Sequence, residues 1–417
     1  MLALLGASTF AYELQTSGAG GAPLRWSSKT VELAVSDSIF DSPNIRGSEH
    51  AYEAIARAAA SWNTASGIQI VLSRSKALSV SPPGRKGDGL SLITIAQTPE
   101  NLLLFSGFNS SRPAVTRLFF DGKGRILEAD IVLNPYFSTS TDGSPGSFDL
   151  ESTVVHELGH ALGLGHSEVL GASMRNSVAR NGLYSLPFTS ARTLSSDDIA
   201  GVRALYGPAD SEGHCCGSVA GTVERDGTGE SEVFLWLEEK ETGAVAAMTR
   251  VAASGGFRID GLASGTYDVF TRDEGAGAAS VGEVEIRKDV TSEVRYKSRA
   301  GTGRSLLSAV GFNGQLSTIA VPVNAGRSYK IYLSATAELE HFEFGASAPG
   351  IAVDRSATEF PDYGSEVSVA AFVVDVDDSV PEGEYTLRLY RNGEMVDCIV
   401  GSVSVEKAPN PWSHREL

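Results

Sequence analysis

The chain has 417 residues, of which 42% are hydrophobic and 20% are charged. At about 150 residues per domain this length predicts roughly three domains, and the composition excludes collagen-like, coiled-coil and wholly disordered chains. The net charge of −17 argues against a nucleic-acid partner, because phosphates are bound by clustered Lys and Arg. No stretch approaches the roughly 20 apolar residues that a membrane-spanning helix needs.

Residues 1–24 are predicted to be a signal segment and a tail. Residues 1–11 are apolar and small residues follow them, as in a secretory signal, but no basic residue precedes the apolar run. The alternatives are a secretory signal with an incomplete start and a simple apolar tail. We favour the signal and expect a secreted, extracellular protein.

Residues 25–207 mix helical and strand periodicities, which is typical of an α+β domain. The first helix is predicted over 48–62, where apolar residues recur at helical spacing and Ser48 is a candidate N-cap. Strands are predicted at 69–72, 91–96, 116–120 and 126–133.

The second helix, predicted over 149–162, carries the sequence HELGHALGLGH, which starts at His156. At about 100° per residue, His156 and His160 lie on one face of that helix, and apolar residues on the opposite face can pack into a core. Gly163 can adopt a positive φ that ends the helix and turns the chain. This turn would bring His166 back towards the other two histidines.

Three neutral imidazoles that converge on one point form a candidate zinc site with an open coordination position. Zinc in such a site acidifies a bound water and polarises a carbonyl. Glu157 follows the first histidine and would lie beside the metal, where it can take a proton from the water and later pass it to a leaving amine. Because the chain has only seven histidines, this pattern is rare by chance. We prefer it to an interpretation in which the histidines bind nothing.

The motif HELGHALGLGH resembles the zinc signature of the metzincin metallopeptidases. Met174 follows His166 by eight residues, the spacing of the methionine turn in the matrixin branch, where this methionine forms a hydrophobic floor under the metal and is not a ligand. Ser167 after the third histidine also resembles matrixins. Further matching segments lie at 25–26, 61–63, 120–127 and 194–207.

The resemblance covers most of residues 25–207 and implies an α+β zincin-like catalytic domain. It implies a zinc metalloendopeptidase that hydrolyses peptide bonds of protein or peptide substrates by a zinc-activated water. The implied site residues are the zinc ligands His156, His160 and His166, the general base and acid Glu157, and the structural supports Met174 and Gly163.

The sequence departs from the matrixin pattern after the methionine. Residues 175–177 lack the usual proline, which leaves one wall of the specificity pocket undefined, and Asn176 stands where some sister branches carry a tyrosine ligand. No cysteine precedes the catalytic segment, so we do not expect a cysteine-to-zinc latch. By the resemblance, the strand at 126–133 forms the edge of the active-site cleft, where substrate adds as an extended strand; the alternative is an ordinary sheet strand.

A single zinc ion is expected, because His50 is the one further histidine in 25–207 and a structural zinc site would need several more. Calcium is a candidate second ion, since four aspartates lie in or near loops rich in Gly and Ser. Their spacing matches no known calcium loop, so we favour solvated turn acids. These residues are Asp121, Asp130, Asp142 and Asp149.

The third helix, predicted over 196–206, begins with a candidate capping box formed by Ser195 and Asp198 and ends at Gly207. A polar linker follows at 208–216. Beyond it, short alternating runs are separated by turns rich in Gly, Ser and Asp, which is typical of β-sandwiches.

Two all-β sandwich domains are therefore expected, at 217–298 and 303–407, with a tail at 408–417. Residues 255–270 resemble the repeat of carboxypeptidase regulatory-like sandwiches, and the last module resembles an immunoglobulin-like sandwich in a generic way. Neither module carries a catalytic cluster, and a surface or matrix ligand for them is a hypothesis based on architecture alone. The apolar residues expected in the core of the first are Phe257, Ile259, Leu262 and Tyr267.

The chain has three cysteines, Cys215, Cys216 and Cys398. Two adjacent cysteines do not bridge each other comfortably, so we expect one of them to pair with Cys398. The alternative is three free thiols.

Two alternatives to a peptidase remain from the sequence. One is a surface-binding or adhesive protein that retains a zinc-binding metzincin fold without turnover, although the intact Glu157 counts against it. The other is a zinc hydrolase that acts on a small amide instead of a protein.

Overall fold

The computed structural model describes residues 9–10, 14–18, 21–82, 86–107, 111–186, 190–209, 213, 215–225, 232–273, 277–298, 306–364 and 367–406. Most of the predicted signal segment, part of the linker and the whole tail at 408–417 lie outside these residues. In the part of the chain that is described, no helix combines the length and the apolar character needed to cross a membrane.

The region up to residue 207 combines helices with short strands. The helices are α1 (Ala51–Ala65), α2 (Pro99–Leu102), α3 (Leu150–Ala161) and α4 (Ser196–Tyr206). The strands are β1 (Thr9–Phe10), β2 (Thr30–Ser36), β3 (Ile45–Arg46), β4 (Gln69–Ser75), β5 (Leu92–Thr94), β6 (Ala114–Phe120), β7 (Ile126–Leu133), β8 (Thr139–Ser140) and β9 (Phe148–Asp149).

Five of these strands form one sheet in the order β4-β2-β5-β7-β6. The first four run parallel, and β6 is antiparallel to β7. Helix α3 packs against α1 and the sheet, and Trp62 of α1 is fully buried between them. The indole nitrogen of Trp62 donates a 3.0 Å hydrogen bond to the carbonyl oxygen of Val155. This bond ties the back of α3 to the core.

The helix predictions are confirmed to within three residues at each end. Ser48 is not the N-cap of α1, because it lies in a 3-10 turn and α1 begins at Ala51. The side chain of Asp149 caps α3, and Ser195 and Asp198 form the predicted capping box of α4.

The strand predicted over 126–133 forms as β7 but does not lie at the edge of the sheet. It pairs with β5 on one side and with β6 on the other. A tight turn at Asp121, whose carboxylate accepts from the backbone nitrogens of Lys123 and Arg125, folds the preceding strand back along the outside. The expectation for 126–133 is therefore wrong, and β6 is the edge strand on this side of the sheet.

The four aspartates considered for calcium do not converge. Asp130 and Asp149 are buried, and arginine side chains lie 3.5 Å and 2.6 Å from their carboxylates. Asp121 and Asp142 accept hydrogen bonds within turns. No group of three or more potential ligands among the described residues includes any of the four. The interpretation as solvated turn acids is wrong for Asp130 and Asp149.

Residues 215–298, with β1, form a sandwich that we call the first sandwich. Its two sheets have the orders β1-β13-β10-β16 and β12-β11-β14-β15. Phe257, Ile259, Leu262 and Tyr267 are buried in its core, as predicted. The strands are β10 (Cys215–Arg225), β11 (Val233–Glu239), β12 (Val245–Arg250), β13 (Gly256–Ala263), β14 (Gly265–Asp273), β15 (Gly277–Ile286) and β16 (Thr291–Ser298).

Residues 306–406 form a second sandwich, with sheets in the orders β18-β17-β20-β23-β22 and β19-β25-β24-β21. Phe372 and Tyr385 are fully buried in its core. The strands are β17 (Leu307–Phe312), β18 (Gln315–Ser317), β19 (Val321–Asn324), β20 (Arg327–Ala335), β21 (Glu343–Ala346), β22 (Ile351–Glu359), β23 (Ser368–Val376), β24 (Gly383–Arg391) and β25 (Glu394–Glu406).

The cysteine pairing differs from the expectation. Cys215 and Cys216 form a disulfide with each other, and Cys398 is buried and free. Cys398 packs with Trp236 and Phe270, on the outer face of the β11–β14 sheet, whereas Cys215 begins β10 in the opposite sheet. The core of the first sandwich therefore separates Cys398 from the other two cysteines.

Candidate metal centre

Three histidines from α3 and the turn after it lie together. The ring centroids of His156 and His160 are 4.7 Å apart, those of His160 and His166 are 4.8 Å apart, and those of His156 and His166 are 5.5 Å apart. Their potential ligand atoms lie within 4.8 Å of one another, and within the described ranges this is the one group of three or more His, Cys, Asp or Glu that could hold a metal ion.

Hydrogen bonds orient two of the rings. The Nδ1 atom of His156 lies 2.8 Å from the carbonyl oxygen of Ser173, and that of His160 lies 2.9 Å from the carbonyl oxygen of Leu164. Since a carbonyl only accepts, both Nδ1 atoms carry the proton and both Nε2 atoms are left as metal donors. The buried Nε2 atom of His166 has no hydrogen-bond partner in the described structure, which a metal ion would explain.

The surroundings of His160 and His166 favour their neutral forms. Burial, reinforced by the neighbouring His156, holds the pKa of His160 well below its usual range and lowers the pKa of His166 to about 4. Metal binding requires the unprotonated imidazole. Three neutral nitrogen donors suit a zinc ion, so these residues fit the ion that the sequence predicts.

The turn that returns His166 to α3 depends on Gly163. Its φ of 99° ends the helix, and the backbone nitrogen of Leu164 then donates to the carbonyl oxygen of Gly159 at 3.0 Å. Gln15 holds this turn from the N-terminal side, because its amide nitrogen Nε2 donates to the carbonyl oxygen of Leu164 at 2.9 Å. The N-terminal segment 14–18 therefore belongs to the surroundings of the site, which the sequence did not reveal.

Replacing Gly163 by Ala is expected to unfold this turn. The new Cβ would lie 2.1 Å from the carbonyl oxygen of Leu24, and the left-handed backbone would be strained as well. We expect a loss of about 1–3 kcal/mol in the free energy of unfolding and weaker zinc retention, measured by denaturant unfolding and metal analysis. The control is Gly207→Ala, which has a similar φ of 73° but open space around the new Cβ, and should keep its zinc. Equal zinc retention in both variants would contradict the role of Gly163.

Met174 is buried directly against α3. A Cβ placed on Gly159 would lie 2.2 Å from the Sδ atom of Met174, so the thioether packs on α3 at Gly159. The backbone nitrogen of Ser167 donates to the carbonyl oxygen of Met174 at 2.9 Å. This bond joins the methionine turn to the segment that carries the third histidine.

Glu157 is buried beside the triad and is not part of it. The hydroxyl oxygen of Thr116, on the edge strand β6, lies 2.5 Å from the Oε2 atom of Glu157. Burial raises the pKa of the Glu157 carboxyl group. The structure thus places a positioned carboxylate with a raised pKa next to His156 of the cluster. Thr116 was not identified from the sequence, since only the sheet order brings it here.

Asp198 supports the site in a way that the sequence analysis missed. It was identified only as part of a helix cap. Its carboxylate also accepts from the backbone nitrogens of Ser173 at 2.8 Å and Met174 at 3.1 Å. Because Ser173 in turn bonds His156, one carboxylate links α4 to a candidate ligand.

Asp197 and Glu384 extend this support into both sandwiches. Asp197 accepts from the hydroxyl group of Ser167 at 2.6 Å and from the backbone nitrogen of Met248, in the first sandwich, at 2.8 Å. Glu384 of the second sandwich is buried and packs against Gly171, where a Cβ would lie 2.7 Å from its Cγ atom. Burial, together with the charge of Asp198, raises the pKa of Glu384 to about 8, and burial raises that of Asp197 to about 7.

These raised pKa values predict that the fold loses stability as the pH rises. The folded state keeps protons on Glu384 and Asp197 that the unfolded chain releases near pH 4, so the free energy of unfolding falls between about pH 4 and 8, by up to about 1.4 kcal/mol per pH unit for each group. Glu384→Gln should flatten this slope in denaturant unfolding measured at several pH values. The exposed Glu382→Gln should not. An unchanged slope in Glu384→Gln would contradict the assignment.

A cavity of about 410 Å³ opens beside His156 and Glu157. Residues 175–177, whose effect on the pocket the sequence left undefined, all line it. The guanidinium of Arg175 is held by Glu168 at 2.7 Å. The volume lies within the usual range for ligand pockets, about 300–1,000 Å³.

Comparisons with known proteins agree with this geometry. Residues 101–207 match the family model described as Matrixin. Metalloendoproteinase 1 of Glycine max is 38% identical over 127 residues, which are 27% of this chain and 38% of that protein. Matrilysin of Mus musculus is 42% identical over 97 residues, 21% of this chain and 34% of that protein. Matrix metalloproteinase-19 of Homo sapiens is 40% identical over 25% of this chain and 20% of that protein.

The chain therefore spans well under half the length of these curated relatives. Both sandwiches lie outside the residues that the family model matches. Among solved structures, the fimbrial anchor protein Mfa2 from Porphyromonas gingivalis aligns with 44% of this chain and 83% of its own, with 11% identity and a TM-score of 0.15. The sequence match and the histidine cluster lie in the same segment, and the chain thus contains a matrixin-like domain.

Proposed function

We propose that this protein is a secreted zinc metalloendopeptidase. The observation that carries the proposal is the cluster of three imidazoles beside the buried Glu157. On His156 and His160 the Nε2 atom carries no proton. On His166 the buried Nε2 atom has no hydrogen-bond partner in the described structure. The names of the matched relatives, which include a metalloendoproteinase and a matrix metalloproteinase, support the reaction class. The apolar run at residues 1–11 fits a secretory signal, which supports the extracellular location.

In this proposal His156, His160 and His166 hold the zinc ion. When bound, zinc lowers the pKa of a coordinated water and polarises the substrate carbonyl. Glu157 takes the proton of the attacking water on its carboxylate and delivers it to the nitrogen of the leaving amine. The raised pKa of the Glu157 carboxyl group suits a group that must both accept and return a proton. The Thr116 hydroxyl fixes the carboxylate in place.

The edge strand β6 is the proposed docking site for the substrate backbone. Within the described sheet it pairs only with β7, and Thr116 on it contacts Glu157. An extended peptide added to this edge would gain main-chain hydrogen bonds next to the reacting groups. The proposed substrates are thus unfolded or exposed extended segments of proteins.

Profiling of the full chain on a peptide library, with and without a chelator, tests the proposal. We expect cleavage of internal peptide bonds that the chelator abolishes and added zinc restores. Zinc uptake without any cleavage would favour the adhesive alternative. Activity confined to small amides would favour the small-amide hydrolase.

A further inference from the structure

The cavity beside His156 and Glu157 is not closed by the matrixin-like domain alone. Three residues of the second sandwich, Ile319, Ala320 and Ser404, form part of its lining. Ile319 and Ala320 are 7% and 5% exposed, so they are held in packed surroundings. A residue some 160 positions after Glu157 therefore borders the same space as the proposed general base.

Contacts between the matrixin-like domain and the second sandwich hold the lining residue Ile319 in place. Tyr184, from the matrixin-like domain, is 1% exposed and lies in the core of the second sandwich. Its hydroxyl group donates to the carbonyl oxygen of Ile319 at 2.9 Å. Its own carbonyl oxygen accepts from the side-chain amide of Asn313 at 2.7 Å, and the backbone nitrogen of Leu170 donates to the carbonyl oxygen of Val400 at 3.0 Å. The position of Ile319 is therefore tied to the loops after the zinc motif.

A second cavity, of about 710 Å³, continues along the same junction. It shares five lining residues with the first cavity, and the side chains of two of them, Ala179 and Ile319, pack together. Ser317 and Thr318 of the second sandwich line its other side. The space that begins at the zinc site thus runs on between the matrixin-like domain and the second sandwich.

We propose that the second sandwich determines substrate specificity, with Ile319 and Ala320 closing the pocket that receives the side chain next to the cleaved bond. This inference rests on the proposed function. The pocket should take an apolar side chain, because most of its lining is uncharged. Of its charged lining residues, Asp149 and Arg175 are paired with Arg192 and Glu168. The other two are Glu157, which Thr116 holds, and the half-buried Arg112. Its apolar lining residues include Phe148, Leu170, Val178, Ala179, Ile319 and Ala320.

Shortening Ile319 tests the proposal. Ile319→Ala deepens the pocket, so kcat/KM for peptides with a bulky aromatic side chain should rise at least about tenfold relative to those with a small one. Ile319→Val should shift the ratio in the same direction by less, and it keeps the test valid if the alanine variant folds poorly. The control is Val367→Ala, an exposed residue of the same sandwich that lines neither cavity. Its preference should equal that of the wild type.

Equilibrium binding separates this inference from the proposed function. Fluorescent peptides carrying either side chain are titrated into the full chain with Glu157→Gln, with and without Ile319→Ala. A shift in binding preference supports the pocket assignment even if the wild type cleaves no peptide. The pocket assignment would be overturned if folded Ile319→Val or Ile319→Ala protein kept the wild-type preference in both binding and cleavage. This holds whether or not the wild type is a peptidase.

Discussion

Glu157→Gln is expected to lower kcat/KM for peptide cleavage by about 10²–10⁴-fold while the protein keeps its zinc. The amide has nearly the shape of the carboxylate and can still lie against the hydroxyl group of Thr116. It cannot take a proton from water at neutral pH. Steady-state kinetics on a chelator-sensitive peptide, with zinc measured by mass spectrometry on the same sample, give both quantities.

A second glutamate serves as the control for this experiment. Glu53→Gln changes an exposed position on α1 and should leave both kcat/KM and zinc unchanged. If Glu157→Gln retained activity within a few-fold of the wild type, another group would have to act as the base. A loss of zinc together with activity would instead indicate a structural role for Glu157.

His166→Ala should abolish zinc retention and all chelator-sensitive cleavage. The substitution leaves two ligands, both on α3, and removes the residue whose buried Nε2 atom lacks a partner in the described structure. In wild-type protein stripped of metal, zinc at 1,000 times its dissociation constant should stabilise the fold by about 4 kcal/mol. The variant should gain far less, as measured by thermal unfolding with and without zinc.

The matched control for His166→Ala is His50→Ala. The His50 side chain is 70% exposed and does not belong to the histidine cluster, so its loss should leave zinc content and thermal stabilisation unchanged. Full zinc retention by His166→Ala would show that the metal, if any, is bound elsewhere.

The parts of this molecule that depend on local sequence could be predicted from it. The spacing of His156 and His160 on one helix, the turn at Gly163 and the capping box at Ser195 each involve residues close in the chain. Helix geometry and capping chemistry are enough to place such residues. The convergence of the three rings follows from the same short segment.

The predictions that failed concern contacts between residues that are distant in the sequence. The edge position of β6 depends on the order in which the strands pair, and the residue pattern of 126–133 does not determine that order. Cys398 is separated from Cys215 because β25 packs on the outside of the first sandwich. In the sequence, Asp197 and Asp198 have the pattern of an ordinary helix start. The bond of Asp198 to the loop of Met174 and the bond of Asp197 to Met248 depend on tertiary packing, the second on the contact between two folded units.

The insertion of Tyr184 into the second sandwich has a consequence for any processing of this chain. A cut between the modules would not simply release a smaller enzyme. A fragment ending at Gly207 would expose Tyr184 and Leu170, which are both buried in the core of the second sandwich. It would also lose Ile319 from the lining of its cavity. Proteolytic removal of the sandwiches would thus change the peptide specificity. It would also leave a less stable product that is prone to aggregation.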